Sequence, residues 1–163
     1  MYRRANMGQN QVHLQQRVAE DLNRPTVLFV CVHNAGRSRM AEAIFNSLAG
    51  DRYRGISAGT EPAARPHPEV VNAVRANGLA VEERPGRMLT QELTDGAVKV
   101  IGMGCAVDEA CPALRVPLED WDLPDPKDRS PEEVEDIYNT IEMKVRNLIA
   151  QLDRELGDPQ TPL

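Results

Sequence analysis

Apolar residues are distributed along this chain in two rhythms. Val27-Leu28-Phe29-Val30-Cys31-Val32 is apolar without a break, and Ala97 to Met103, apolar around Lys99, forms a second run. Runs this short predict parallel strands buried on both faces. Elsewhere apolar positions recur every three or four residues. Ala41, Ile44, Phe45 and Leu48 predict the inner face of a helix capped by Ser38 and reaching about Leu48. Val134, Ile137, Ile141, Val145, Leu148, Ile149 and Leu152 predict a longer helix ending near Leu156. It opens on Ser130-Pro131-Glu132-Glu133, a capping box with proline at the first helical position.

Weaker signals fill the intervals. Tyr53 to Ser57 reads as a second strand closed by Ala58-Gly59-Thr60, and Glu61 to Pro68 as a loop. Pro68 to about Asn77 is expected to be a helix stopped by Gly78. Arg84 to Thr90 is too polar and turn-rich to place, although Thr90 can cap a short helix through Leu93. Arg115 to Leu118 is expected to be a short fourth strand. Near the start, Leu14, Val18 and Leu22 fall four apart and predict a helix from Gln11 to about Asn23, behind a polar tail from Met1 to Asn10. Strands alternating with helices imply an α/β fold, a four-stranded parallel sheet with helices on both faces, whose ligands bind beyond the strand C-termini. The expected organisation is an N-terminal extension over 1–24, a catalytic domain over 25–157 and a tail over 158–163.

The first strand empties into Cys31-Val32-His33-Asn34-Ala35-Gly36-Arg37-Ser38, and a cysteine and an arginine with five residues between them bracket the loop. A turn this tight can aim the backbone N–H groups of Val32, His33, Asn34, Ala35, Gly36 and Arg37 at one anion, where the positive end of the next helix also points. Such a field favours the thiolate and makes Cys31 a nucleophile. Arg37 can offer a bidentate fork to two oxygens of a tetrahedral oxyanion. Ser38 can donate to the thiolate, Asn34 can brace the loop from within, and the His33 side chain is expected to point outward. The competing reading is a structural cysteine before an ordinary strand-to-helix turn.

These residues, followed by Arg39-Met40-Ala41-Glu42, resemble the anion loop of the low-molecular-weight tyrosine phosphatase superfamily, and within it the arsenate reductases coupled to thioredoxin. The resemblance spans about Pro25 to Leu152. It implies that Cys31 attacks arsenate, that Cys105 attacks Cys31 and that Cys111 attacks Cys105, leaving a disulfide for thioredoxin or a similar carrier. A low-molecular-weight thiol with a glutaredoxin-like carrier is the alternative donor. The resemblance also implies a general acid in the late Asp125-Pro126 dipeptide, with Asp122 as competitor. Related phosphatases place tyrosines after that dipeptide to grip an aryl group; Lys127 and Asp128 stand here. Phosphate and sulfate are expected to enter the arsenate site. No cofactor is implied. Some reductases of the superfamily hold potassium near the loop; Asn34, Glu42 and Ser57 match those positions, but Gly78-Leu79-Ala80-Val81 lacks an expected acidic partner, and no metal site is assigned.

Charge and cysteine usage narrow the alternatives. The formal charge of −6 over 163 residues argues against a nucleic-acid partner. No apolar stretch approaches the ~18 residues that cross a bilayer, so a cytoplasmic location without membrane attachment is expected. Three cysteines do not make a secreted disulfide scaffold. Two other functions compete with arsenate reduction: a low-molecular-weight phosphatase working through phosphocysteine at Cys31, and a non-catalytic redox or oxyanion module docking through the Leu14/Val18/Leu22 helix.

Overall fold

The computed structural model describes residues 11–17, 19, 23–104 and 114–157. Strand β1 (Thr26–Cys31) lies inside a wholly parallel four-stranded sheet, between β2 (Arg54–Gly59) and β3 (Lys99–Gly102), with β4 (Leu118–Asp120) beyond β3. The chain leaves β1 for β2 on one side and later returns to β3 on the other. That reversal opens a crevice beyond the strand C-termini, where Cys31 ends β1.

The unbroken apolar run has its expected cause. Val27, Phe29 and Cys31 face one core cluster, while Leu28 and Val30 face a second with Ile56, Ala58, Leu89 and Val100. Helices α1 (Arg37–Ala49), α2 (Pro68–Ala76) and α4 (Pro131–Leu156) bury their apolar stripes in the first cluster. The short α3 (Gln91–Asp95) packs Leu93 on the second. All seven apolar positions anticipated for α4 are buried. Both halves of its capping box are made: Glu133 N donates to Ser130 Oγ at 3.2 Å, and Ser130 N to Glu133 Oε2 at 3.0 Å. Thr90 caps α3 through Leu93 N.

Several expectations need correction. Ser38 is not a cap: α1 begins at Arg37 behind Gly36, with no side-chain cap, because the Ser38 hydroxyl is engaged elsewhere. β2 starts one residue later and continues through Ala58 and Gly59, which pair with Val30 and Cys31. Leu89 N bonds to Gly59 O and Gly59 N to Arg87 O, so the unplaced 84–90 segment is drawn against the end of β2. β3 is confined to Lys99–Gly102. The fourth strand is Leu118–Asp120 rather than Arg115–Leu118, and a side-chain pairing across the sheet fixes it: Glu119 sits 3.0 Å from Lys99 Nζ and accepts the Trp121 indole N–H. Of the anticipated N-terminal helix, residues 11–17 are helical and Leu14 is exposed. Val18, Leu22, Met1–Asn10, residues 158–163, Cys105 and Ala106–Cys111 lie outside the described residues.

Partial burial pushes the Glu119 carboxyl up, but the Lys99 ammonium and the Trp121 N–H outweigh it and leave the pKa below its ordinary value. A depressed carboxylate stabilises the fold above its unfolded pKa of about 4.3, and that contribution fades as pH falls through the folded value. Glu119→Gln is therefore expected to lower the melting temperature at neutral pH, with the difference from the parent shrinking only as pH falls below the unfolded value of about 4.3. Melting curves from pH 3 to 7 check this; a constant difference would refute it.

Candidate active site

The segment between β1 and α1 is held almost entirely by its carbonyl groups. Cys31 O accepts from Thr60 N at 3.3 Å, Val32 O from Glu61 N at 2.7 Å and His33 O from Ala63 N at 2.8 Å. Asn34 O accepts from the Arg39 guanidinium at 2.7 Å. Ala35 O accepts from His67 N at 2.8 Å, and Gly36 O from Met40 N at 3.0 Å. Every carbonyl from 31 to 36 is thus bonded outward. The backbone N–H groups of 32–37 find no acceptor among the described residues. Backbone amide donors seldom go unpaired, so a run of them with its carbonyls turned away can take an anion.

The thiol is buried. Cys31 Sγ lies 2.8 Å from Ser38 Oγ, and that hydroxyl accepts the Asn34 side-chain N–H at 2.8 Å. With one lone pair of Ser38 taken by an amide donor, its own hydrogen is free to point at sulfur. Asn34 is wholly buried at φ 47, and its Oδ1 accepts Arg87 N at 2.9 Å. It braces the loop as anticipated. His33 turns outward, its Nδ1 3.0 Å from Glu61 O.

Arg37 is half-buried and donates to Leu123 O at 3.0 Å, which ties the loop to the segment carrying Asp125. Gly104, at φ +82, lies against the Arg37 guanidinium; a side chain there would displace it. Pro126 is buried on Gly36, where an added Cβ would meet Pro126 Cγ at 3.0 Å. That contact brings Asp125 to the rim of the loop, exposed, with Oδ1 accepting Lys127 N at 3.0 Å. Asp122 is also exposed. Cys31, Asn34, Arg37, Ser38 and the Asp125 segment are therefore gathered at one place. Cys105 and Cys111 are outside the described residues.

Residues without a local signal complete the support. Arg39 is 1% exposed and donates to the Asn34, Glu82 and Arg84 carbonyls. Gly59 lets the loop pass: a Cβ would lie 2.6 Å from Val32 O and 2.8 Å from Asn34 N. Glu42 and Ser57, two of the positions matching a potassium site, bond to each other at 2.6 Å and both reach Arg84, whose Nη2 is 3.2 Å from Glu42. A guanidinium already supplies the positive charge there, so these residues do not fit a bound potassium ion. Among the described residues no helix is long and apolar enough to cross a membrane.

A Cys-x5-Arg loop at the end of the first strand of a parallel α/β sheet, its carbonyls bonded outward, is an arrangement suited to thiol chemistry on an anion. The chain belongs to the low molecular weight phosphotyrosine protein phosphatase family, whose model matches residues 26–158. A Halobacterium salinarum protein named "Putative arsenate reductase" is 33% identical over 130 residues, covering 77% of this chain and 91% of its own length. Among solved structures, a thioredoxin-dependent arsenate reductase of Corynebacterium glutamicum matches with a TM-score of 0.70 at 27% identity, over 88% of this chain and 73% of that one. An arsenate reductase of Archaeoglobus fulgidus matches with a TM-score of 0.65 at 31% identity, over 76% and 98%.

Proposed function

We infer that this protein reduces arsenate to arsenite in the cytoplasm, using Cys31, Cys105 and Cys111 in turn and thioredoxin or a similar dithiol carrier as electron donor. The observation that carries the reading is the run of N–H groups at 32–37 without an acceptor among the described residues, next to Cys31, in a chain with two further cysteines after its third strand. Relatives named as arsenate reductases support it. So does the absence of tyrosine after Asp125-Pro126, where Lys127 and Asp128 leave nothing to grip an aryl ester.

Arsenate binds with its oxygens on the loop amides and the Arg37 fork. The Cys31 thiolate attacks arsenic, and one oxygen leaves as water after protonation by Asp125. Cys105 then attacks Cys31 Sγ. The electron pair of the S–As bond passes to arsenic, reducing As(V) to As(III), and arsenite departs. Cys111 attacks Cys105, frees the Cys31 thiolate and leaves a Cys105–Cys111 disulfide for the carrier. Two electrons and two protons enter per arsenate, and one water leaves. Gly104 precedes Cys105 directly and packs on Arg37, which favours this order.

The test is arsenite production under a thioredoxin recycling system, beside Cys105→Ser, Cys111→Ser and a phosphate-ester control. Turnover in the parent and at most a single turnover in each variant is expected. Ester hydrolysis indifferent to both changes, with no arsenite formed, would make the protein a phosphatase. Asp125→Asn is expected to lower kcat by about 10²–10⁴-fold, the range for loss of a general acid, with little change in KM. Steady-state rates check it, and an equal loss in Asp122→Asn alone would transfer the role.

A further inference from the structure

We propose that the cavity behind the catalytic loop, between α1, the edge strand β2 and the 82–87 segment, is a second oxyanion site in which Arg54 and Arg87 grip a phosphate- or sulfate-type dianion. The cavity measures about 300 Å³ and is lined by Arg24, Glu42, Asn46, Arg54, Glu82 and Arg87, with the Gly50 and Gly55 to Ile56 backbone. It is separate from the Cys31 loop: none of its lining residues belongs to 31–38.

Charge is the first argument. Glu42 and Glu82 both pair with Arg84, at 3.2 and 3.3 Å, so one guanidinium serves two carboxylates. Arg24, Arg54 and Arg87 then add three positive charges to the same walls. The charged residues of the lining are three arginines and two carboxylates, a net positive wall in a chain whose formal charge is −6. Partnering is the second. Arg54 and Arg87 are half-buried, yet neither guanidinium has a hydrogen bond or ion pair among the described residues. Two partly desolvated forks of like charge facing one cavity are stabilised by a shared anion, and the planar guanidinium suits bidentate contact with tetrahedral oxygens. The field agrees: burial and the neighbouring Arg84 and Arg54 pull the Arg87 pKa down, and Glu42 and Glu82 only partly oppose them.

The wall is anchored to the fold by groups other than these side chains. Arg87 N, not its guanidinium, bonds to Asn34 Oδ1, and the Arg54 backbone is held by Pro25 O and the β1 ladder. Neutral substitutions at the two guanidinium groups therefore leave the loop's bonds in place.

Calorimetric titration with sulfate at constant ionic strength, balanced with chloride, decides the matter. The parent is expected to bind two sulfates, Arg37→Ala one, Arg54→Gln/Arg87→Gln one, and the triple variant none. The surviving site in Arg37→Ala should weaken about tenfold or more when Arg87→Gln alone is added, the loss of one charged fork. Repeating the Arg37→Ala titration with inorganic phosphate and with glycerol 3-phosphate distinguishes a free oxyanion from the phosphate group of a larger molecule. Circular dichroism confirms that each variant is folded. Unchanged stoichiometry in Arg54→Gln/Arg87→Gln, or no sulfate binding beyond the chloride effect in folded Arg37→Ala, would overturn the proposal.

Discussion

Serine at position 31 is expected to reduce arsenite production to background, a loss of about 10⁴-fold or more, the scale seen when a covalent nucleophile is removed. An alcohol does not ionise at neutral pH, and it forms no disulfide, so both the attack on arsenic and the transfer to Cys105 are lost together. Binding has a different cause. The outward bonding of the 31–36 carbonyls is independent of the sulfur, so the inward N–H groups persist in Cys31→Ser. Sulfate or phosphate should therefore bind the variant within about threefold of the parent, a change below ~1 kcal/mol. Arsenite assays and anion titration on the same preparation check both halves. Residual turnover within about tenfold of the parent would remove Cys31 from the chemistry.

Arg39→Met is expected to be the most destabilising single change near the loop. The side chain is sealed in, and its guanidinium donates to three backbone carbonyls, at Asn34, Glu82 and Arg84. Methionine fills much of the volume but leaves those three acceptors without their donor. Each orphaned buried group costs about 1–3 kcal/mol, so a total of roughly 3–5 kcal/mol is expected after relaxation. The effect should also reach function. Asn34 carries the left-handed turn of the loop and supplies the amide that orients Ser38. Loss of Arg39 should therefore raise the KM for arsenate more than it lowers kcat. Lysine should recover little, since one compact ammonium cannot span three carbonyls as a planar fork does. Urea denaturation and steady-state kinetics measure the two effects. A variant within about 1 kcal/mol of the parent would show that water can replace the guanidinium.

Much of this protein is legible residue by residue. The run from Val27 to Cys31 is apolar at every position because β1 is covered on both sides, and the α4 stripe keeps a helical period because one face of that helix meets the core. The loop is legible for the same reason. Cys31, Asn34, Gly36, Arg37 and Ser38 are neighbours in the chain, and a strand entering a helix through so few residues has little freedom to place them apart. Ser38 shows where local reasoning fails. Its position suits a cap, but its hydroxyl binds Cys31 and Asn34 instead, and no capping preference encodes that choice.

Local patterning is enough for the alternation of strands and helices, the buried central strand, the capped terminal helix and the Cys-x5-Arg loop. What holds that loop in shape comes from contacts between segments far apart in the chain. Arg39 reaches carbonyls 43 and 45 residues away, Arg37 one 86 residues away, and Arg87 meets Asn34 across 53. The edge strand at Leu118–Asp120 was likewise selected by its Lys99 partner rather than by its own apolar content. Periodicity records which side of an element meets the core. It does not record where a buried polar group finds its partner, because that depends on which distant backbone the fold brings within hydrogen-bonding reach.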